Sequence, residues 1–251
     1  MTKDKKVCAN INNDLEEILK AVGVRSVKQE KHNKNNNTVL PNDFFDFLQT
    51  SSFRYLSIND RELIAKELKR RKITELIHFT SKSNLNSIKK LGGILSRKQL
   101  SERSDTHYSF TDENRFDGEL NGISVSITRP NYFMLRQKIE NGQIKEPYII
   151  TIKAELLLNP NIRFVFCDGN ASSPDKNKGS TYKDFLRMFQ NDKPVIFTSK
   201  DGTLQSKTRE ELFRKENETT DVQAEILVEG IIPFEYITSA YKFDLEGEED
   251  E

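Results

Sequence analysis

The sequence has no tryptophan, only two cysteines and only three histidines, and these scarcities exclude several classes of protein. Two cysteines, Cys8 and Cys167, cannot build a disulfide framework. The scattered histidines and cysteines lack the ligand spacing of a structural zinc site, so we expect no bound metal. A run of about 18 apolar residues is absent, and so is an apolar signal core near the start. We therefore expect a cytoplasmic protein that does not bind membranes.

Common nucleotide and acyl-transfer motifs are also missing. The sequence has no GxGxxG, no GxxxxGK[ST] and no GxSxG, which argues against a Rossmann domain, a P-loop and an α/β-hydrolase. The 39 basic and 39 acidic residues give zero net charge, but six of the acids lie in residues 244–251. Because the whole chain is neutral, residues 1–243 carry a net charge of +6, which is compatible with a polyanionic partner.

The predicted secondary structure changes in character at about residue 74. Residues 1–73 are predicted to be a small helical N-terminal extension with an Asn/Lys-rich linker at 28–38, and residues 244–251 an acidic tail. Residues 74–243 alternate short β-rich runs with helices, and strands outnumber complete βαβ units, which predicts an α+β domain. The predicted strands are 75–80, 123–127, 148–153, 163–166, 194–198, 222–228 and 236–243, and the predicted helices are 84–91, 131–139 and 181–190.

Several polar residues stand out as candidates for chemistry. His78 lies in an apolar run, and Asn84 begins the helix that follows it. Arg97 follows a Gly-Gly turn, and Arg115 lies in a polar loop. Each residue also has a purely structural explanation, because histidines occur in cores, asparagines cap helices and loop arginines are usually solvated. Paired arginines are nevertheless a common way to hold phosphates.

Glu225 is the most unusual of these candidates, because its acidic side chain lies within the otherwise apolar run VQAEILV. Alternation along a strand predicts that Gln223 and Glu225 project from the same face. The alternative is a solvent-facing strand at the edge of a sheet.

Three blocks of sequence carry a resemblance to a known family. The blocks are ELIHFTSKSNLNSIKKLGGILSR (75–97), NRFDGELNGISVSITRPNYFM (114–134) and VQAEILVEGIIPFEYI (222–237). In order and spacing they resemble the DarT family of nucleic-acid ADP-ribosyltransferases. The resemblance implies an ADP-ribosyltransferase-like split β-sheet core with flanking helices. It spans roughly 74–240, with residues 167–221 poorly matched.

The resemblance also implies NAD⁺ as co-substrate, no metal, and a role for each candidate. Glu225 would be the catalytic glutamate, with Arg115 gripping the diphosphate and positioning the reacting ribose. His78, Thr80 and Asn84 would bind the adenosine ribose and the nicotinamide side of the cofactor. Arg97 matches a motif position and would also bind the cofactor. Tyr132, or its neighbour Phe133, would stack near the nicotinamide.

The acceptor implied by the resemblance is a nucleobase in single-stranded DNA or RNA. The loop 199–221 is expected to contact this acceptor through its basic residues Lys200, Lys207, Arg209 and Arg214. In the helix before it, Phe185, Met188 and Phe189 are expected to pack in the core rather than to stack on bases.

The same resemblance implies a toxin that a protein antitoxin restrains or that acts in antiviral defence. Two rival hypotheses remain open at this stage. One is an ADP-ribosyltransferase that acts on protein, or an enzyme that only hydrolyses NAD⁺. The other is a non-enzymatic module that binds nucleic acid or a protein partner. Residues 1–73 are a candidate docking element for an antitoxin or chaperone.

Overall fold

Six of the seven predicted strands lie in an antiparallel sheet of eight strands in the computed structural model of the chain, whereas the predicted strand 194–198 lies in a separate hairpin. The structure describes residues 52–103, 108, 120–199 and 202–244, all of which belong to the unit Asp46–Glu251. Its strands are β1 Arg54–Tyr55, β2 Glu75–Ser81, β3 Gly93–Leu95, β4 Gly122–Ile127, β5 Pro147–Lys153, β6 Arg163–Cys167, β7 Lys178–Gly179, β8 Val195–Thr198, β9 Leu204–Lys207, β10 Glu225–Glu229, β11 Ile231–Pro233 and β12 Ile237–Lys242.

Within the described ranges, five α-helices and three 3₁₀ turns surround these strands. The helices are α1 Ile58–Arg71, α2 Leu85–Leu91, α3 Arg97–Ser101, α4 Tyr132–Glu140 and α5 Tyr182–Arg187, and the 3₁₀ turns are Lys82–Asn84, Ala154–Leu158 and Phe234–Tyr236. Among the described residues no helix is long and apolar enough to cross a membrane. Helices and an antiparallel sheet in one core confirm the predicted α+β class.

The main sheet runs in the order β1-β6-β10-β4-β2-β5-β12, with β7 attached to β6. Strands β2 and β5 pair along seven residues, whereas β2 and β4 pair only through Leu76–Ile127 and Ile77–Ser126. Strand β4 continues to pair with β10 on its other side as far as Gly122. Strands β2 and β4 therefore diverge after Ile77. The sheet is split at this point, as the resemblance implied.

Two helices cover the sheet and close the core. Helix α1 begins after Ser57, whose hydroxyl accepts a hydrogen bond from the backbone N–H of Asp60 at 3.0 Å, and it buries Ile64 and Leu68. Helix α5 buries Phe185, and Met188 and Phe189 just beyond its end are buried as well, which confirms their predicted core packing. Helix α1 lies within the predicted extension 1–73, and the boundary at residue 73 stays a prediction.

The predicted strand 222–228 is wrong at its start, because β10 begins at Glu225. Asp221 ends the preceding loop in a turn. Its carboxylate accepts the N–H of Gln223 at 2.8 Å, and its carbonyl accepts the N–H of Ala224 at 3.1 Å. Gln223 therefore lies in a turn and does not share a strand face with Glu225. The alternative of an edge strand is also wrong, since β10 lies between β6 and β4.

Other predictions fall on residues outside the described ranges or need a smaller correction. The linker 28–38, Arg115 and Lys200 lie outside the described ranges. The predicted loop 199–221 contains a strand, because β9 pairs with β8 in a hairpin.

The two glycines of the Gly-Gly turn give a stability prediction. Gly92 ends α2 at a φ of 75°, and a methyl group added there would meet open space. A methyl group on Gly93 would overlap the carbonyl oxygen of Ile232 on the paired strand β11. We expect Gly92→Ala to lower the free energy of unfolding by about 1–2 kcal/mol, the cost of a left-handed residue. Gly93→Ala should lower it further in urea denaturation. Equal losses would contradict the close approach of β3 and β11.

Candidate active site at the split of the sheet

A cavity of about 420 Å³ lies where β2 and β4 diverge. Its walls come from these two strands, from α2, β3, α3 and α4, and from the first residue of β10. Polar groups from these elements converge on it. The polar side chains among the described lining residues include His78, Thr80, Asn84, Ser87, Ser96, Arg97, Ser124, Ser126, Asn131, Gln137, Lys138, Asn141, Gln143, Asn170, Ser172 and Glu225.

His78 bridges the split. Its Nδ1 lies 2.9 Å from the backbone carbonyl oxygen of Ser124. A carbonyl oxygen can only accept, so Nδ1 carries the proton and donates it. The ring thereby binds β4 at the point where backbone pairing between β2 and β4 has ended. The same bond orients the imidazole at the wall of the cavity.

Glu225 is the carboxylate of the cavity and is held at both oxygens. The Ser124 hydroxyl donates a hydrogen bond to Oε2, and the backbone N–H of Ala171 donates to Oε1 at 2.6 Å. Ala171 is fully buried in the loop after β6, the strand next to β10. These donors fix the position of the carboxylate before any ligand binds. The carboxylate can therefore stabilise a positive charge that develops in the cavity without first having to move.

The polar residues at the start of α2 and α3 are also fixed locally. The Asn84 amide donates to the hydroxyl of buried Thr80 at 3.0 Å. Arg97 is the first residue of α3, after its cap Ser96, whose hydroxyl accepts the N–H of Gln99 at 3.3 Å. The Ser96 hydroxyl also donates to Asn121 Oδ1 at 2.9 Å. The beginning of α3 is thus tied to the loop before β4.

Helix α4 supplies a wall of the cavity through residues other than the predicted Tyr132 and Phe133. Asn131 caps this helix by accepting the N–H of Met134 at 3.0 Å. Lys138 lies one turn further along and is only 6% exposed, although it lines the cavity. A lysine buried to this extent is unusual. The sequence signal for its place at the cavity was its spacing of four residues from Met134, which puts both side chains on one face of the helix. Tyr132 packs against Phe243 with ring centroids 5.9 Å apart and is not among the described lining residues.

The predicted acceptor-binding residues occupy different environments. Lys207 in β9 places its ammonium 5.7 Å from the centre of the Phe197 ring. Arg209 is 7% exposed, and its guanidinium donates to the carbonyls of Lys215 and of Glu218, the latter at 2.6 Å. Arg214 donates to the carbonyl of Thr220 at 3.4 Å. Burial lowers the pKa of both arginines.

The cavity therefore unites five residues singled out from the sequence, His78, Thr80, Asn84, Arg97 and Glu225. Tyr132, Lys207, Arg209 and Arg214 lie elsewhere, and Arg115 and Lys200 are outside the described ranges. In the part of the chain that the structure describes, no three His, Cys, Asp or Glu residues cluster in a way that would hold a metal ion.

The family model of DarT, described as ssDNA thymidine ADP-ribosyltransferase, matches residues 77–246, about two thirds of the chain. The chain is therefore an ADP-ribosyltransferase. It belongs to the DarT family, which confirms the resemblance found in its sequence. A comparison with curated proteins gave no significant match.

Solved structures of the family are similar to the chain at low identity. DarT of Thermus sp. 2.9 in complex with NAD⁺ has 14% identity and a TM-score of 0.44, covering 70% of this chain and 84% of that one. The same protein with ADP-ribosylated ssDNA has 16% identity and a TM-score of 0.46, with 70% and 84% covered. DarTG of Thermosipho africanus with ADP-ribose has 18% identity and a TM-score of 0.41, with 69% and 45% covered.

The hydrogen bond between Ser124 and Glu225 gives a testable prediction. Ser124→Ala removes the hydroxyl donor and leaves the carbonyl that binds His78. A hydrogen bond to a charged group contributes about 1.5 kcal/mol or more, so we expect the ADP-ribosyl transfer rate to fall about tenfold or more. Ser239→Ala, in strand β12 and not among the described lining residues, is the matched control. Equal losses in the two variants would show that the bond to Glu225 is not the cause.

Proposed function

We propose that this protein transfers ADP-ribose from NAD⁺ to thymidine in single-stranded DNA. One observation carries the proposal: Glu225 is fixed by Ser124 and Ala171 at the wall of the cavity, in a chain whose family model describes that reaction. The family description favours DNA over RNA as the acceptor, and thymine over the other bases.

Glu225 is the proposed catalytic residue. In the reaction, the bond between ribose C1′ and the nicotinamide nitrogen breaks, and nicotinamide leaves with the electron pair. The ribose develops oxocarbenium character, which a fixed carboxylate stabilises electrostatically. A nitrogen of the acceptor base then bonds to C1′ and loses a proton. Glu225 is suitably placed to orient the ribose and to accept that proton.

The other lining residues fit a dinucleotide. His78, Thr80 and Asn84 present ring, hydroxyl and amide groups of the kind that bind ribose hydroxyls and a carboxamide. Arg97 places a positively charged side chain at the cavity. The family resemblance implies that Arg115 binds the diphosphate of NAD⁺. The proposed stacking role of Tyr132 has less support, because its ring packs against Phe243.

We add Lys138 to the proposed NAD⁺ site. Its side chain lines the cavity on the wall that α4 forms. An ammonium at this wall can bind an oxygen of the NAD⁺ diphosphate. Phosphates are frequent ligands of lysine. Lys138 would therefore contribute to NAD⁺ binding rather than to the chemical step.

One parallel experiment tests the reaction and its acceptor. The protein is incubated with NAD⁺ labelled in the adenylate part and with single-stranded DNA, duplex DNA, RNA or a protein extract. We expect label on thymidine-containing single-stranded DNA and not on a thymidine-free strand. Glu225→Ala and Glu225→Gln should abolish labelling, by at least about 100-fold, while the folded state and NAD⁺ binding persist.

Each other outcome of that experiment selects a rival. Label on RNA or on protein would show that this molecule, rather than DNA, is the acceptor. Release of free ADP-ribose without labelling would indicate an NAD⁺ glycohydrolase. Wild-type transfer by a correctly folded Glu225→Ala protein would remove Glu225 from the mechanism.

The role of Lys138 predicts a separation of kinetic constants. Lys138→Met keeps most of the side-chain volume and removes the charge. We expect the KM for NAD⁺ to rise about tenfold or more, with little change in kcat, because the interaction serves binding in the ground and transition states alike. Lys145→Met, at an exposed lysine after α4, is the control. A fall in kcat at unchanged KM would contradict a binding role.

The biological setting is proposed on the family resemblance alone. It comprises a toxin that acts in the cytoplasm, a protein antitoxin that restrains it and a use in antiviral defence. Binding of the loop residues Lys200, Lys207, Arg209 and Arg214 to the acceptor stays a prediction. The bonds of Arg209 and Arg214 to carbonyl groups of the loop favour a role for these two in holding the loop.

A further inference from the structure

A partly buried ion pair at the end of β10 takes no part in the proposed reaction, because neither partner is among the described lining residues of the cavity. Arg163 of β6 binds Glu229 with two nitrogen atoms: its Nε contacts Oε2, and its Nη2 donates to Oε1 at 2.8 Å. The Glu229 side chain is only 10% exposed. Such a pair adds little net stability, because the loss of hydration offsets the attraction. It does fix the direction of the carboxylate, since a two-point contact permits few orientations.

Asn121 continues this pair toward the cavity. Its Nδ2 donates to Glu229 Oε1 at 3.1 Å, and its Oδ1 accepts from the Ser96 hydroxyl at 2.9 Å. A carboxylate paired with arginine can only accept, so the amide nitrogen must face Glu229 and the amide oxygen must face Ser96. The Ser96 hydroxyl thus donates to Asn121 and accepts from the N–H of Gln99 at 3.3 Å. Arg163, Glu229, Asn121 and Ser96 therefore form a continuous relay of hydrogen bonds.

The backbone makes the same connection. The N–H of Gly230 donates to the Asn121 carbonyl at 2.8 Å, and the N–H of Ser96 donates to the Gly230 carbonyl at 2.7 Å. The N–H of Lys98 donates to the Leu120 carbonyl at 3.0 Å. Residues 120 and 121 therefore hold the start of α3 through the main chain as well as through the Asn121 side chain.

Helix α3 depends on these contacts because it has only five residues. A helix of this length is not stable alone in water, so its neighbours set its position. Ser96 caps the helix and is 1% exposed, and Arg97 is its first residue. Both line the cavity, whereas Asn121 is not among the described lining residues. Asn121 therefore acts on the cavity through Ser96 and the residue that follows it.

We infer that Asn121 is a positioning residue for NAD⁺: it transmits the fixed geometry of Glu229 to Ser96 and thereby holds Arg97 at the cavity. The inference deepens the proposed function, since it rests on Arg97 as a ligand of NAD⁺. A guanidinium is suited to a phosphate of the cofactor, and its planar fork needs a defined direction of approach. The relay does not include Glu225, so NAD⁺ binding should depend on Asn121 more than the chemical step does.

The first test measures NAD⁺ binding to the whole chain by titration calorimetry. Asn121→Ala removes both bonds of the amide and keeps the backbone carbonyl that binds Gly230. We expect the Kd for NAD⁺ to rise about 3-fold to 10-fold, the effect of one or two lost hydrogen bonds. The kcat for NAD⁺ consumption should stay within about twofold of the wild type, because the carboxylate of the site keeps its own donors.

A double-mutant cycle with Arg97→Met tests the route of this effect. Arg97→Met removes the charge and should raise the Kd for NAD⁺ about tenfold or more. If Asn121 acts through Arg97, adding Asn121→Ala to the Arg97→Met protein should change the Kd by less than about twofold. Asn121→Ala should lower the melting temperature equally in both backgrounds, because neither bond of the Asn121 amide goes to the Arg97 side chain.

Two further variants complete the design. Asn121→Asp keeps the shape of the side chain and the acceptor for Ser96, but it places a second carboxylate next to Glu229. We expect it to raise the Kd at least as much as Asn121→Ala, and it carries the test if the alanine protein does not fold. Asn159→Ala is the control and should leave the Kd unchanged. Asn159 also makes two side-chain bonds, at 3.1 Å to the Tyr236 hydroxyl and at 2.9 Å to the N–H of Asn161, and it is not among the described lining residues.

The outcomes separate this inference from the proposed function. An unchanged Kd in Asn121→Ala or Asn121→Asp, whatever the melting temperature, would show that the relay serves only the fold. An equal rise of the Kd in the wild-type and Arg97→Met backgrounds would overturn the route through Arg97. If NAD⁺ binding responds as expected but single-stranded DNA is not labelled, the proposed acceptor is wrong and the inference stands. A wild type that does not bind NAD⁺ would overturn both.

Discussion

The hydrogen bond between the His78 ring and the Ser124 carbonyl is the constraint on which the site depends. Strands β2 and β4 stop pairing after Ile77 and Ser126, and a continuous sheet would leave no space between them. The imidazole satisfies a carbonyl that backbone pairing with β2 would otherwise take, at 2.9 Å. The split is thereby stable without a ligand, and the carbonyl is not left without a donor.

Ser124 connects this split to the carboxylate of the site. Its carbonyl binds His78 on β2, and its hydroxyl binds Glu225 on β10. One residue of β4 therefore fixes two groups that come from distant parts of the chain. A shift of β4 along either neighbour would displace both groups together, so the sheet register and the geometry of the site are coupled.

The sequence predicted the residues of the site better than the way they are held. His78 and Glu225 were found because each interrupts an apolar run, and Asn84 was found because it begins the helix of a recognisable block. Ser124 was not singled out, since a serine in an alternating strand is unremarkable and its partners lie 46 and 101 positions away. The start of β10 was misjudged because the turn at Asp221 depends on a side-chain bond to Gln223 that strand alternation does not encode.

The charged residues of the loop before Glu225 show the same limit of prediction from sequence. Composition predicted a basic loop that contacts nucleic acid, but a count of arginines cannot tell exposed from buried ones. Arg209 and Arg214 bind the loop's own carbonyls, and burial lowers the pKa of each guanidinium below its ordinary value. These arginines hold the shape of the loop.

Two separate sets of bonds thus hold the two parts of the site. Glu225 is fixed by Ser124 and Ala171, both outside the loop, whereas the loop is fixed by its buried arginines and by α5. The two sets meet at Asp221, which bonds Lys176 on one side and the turn into β10 on the other. Substitutions in the loop before Asp221 therefore change the loop's own bonds, while Glu225 keeps its donors Ser124 and Ala171.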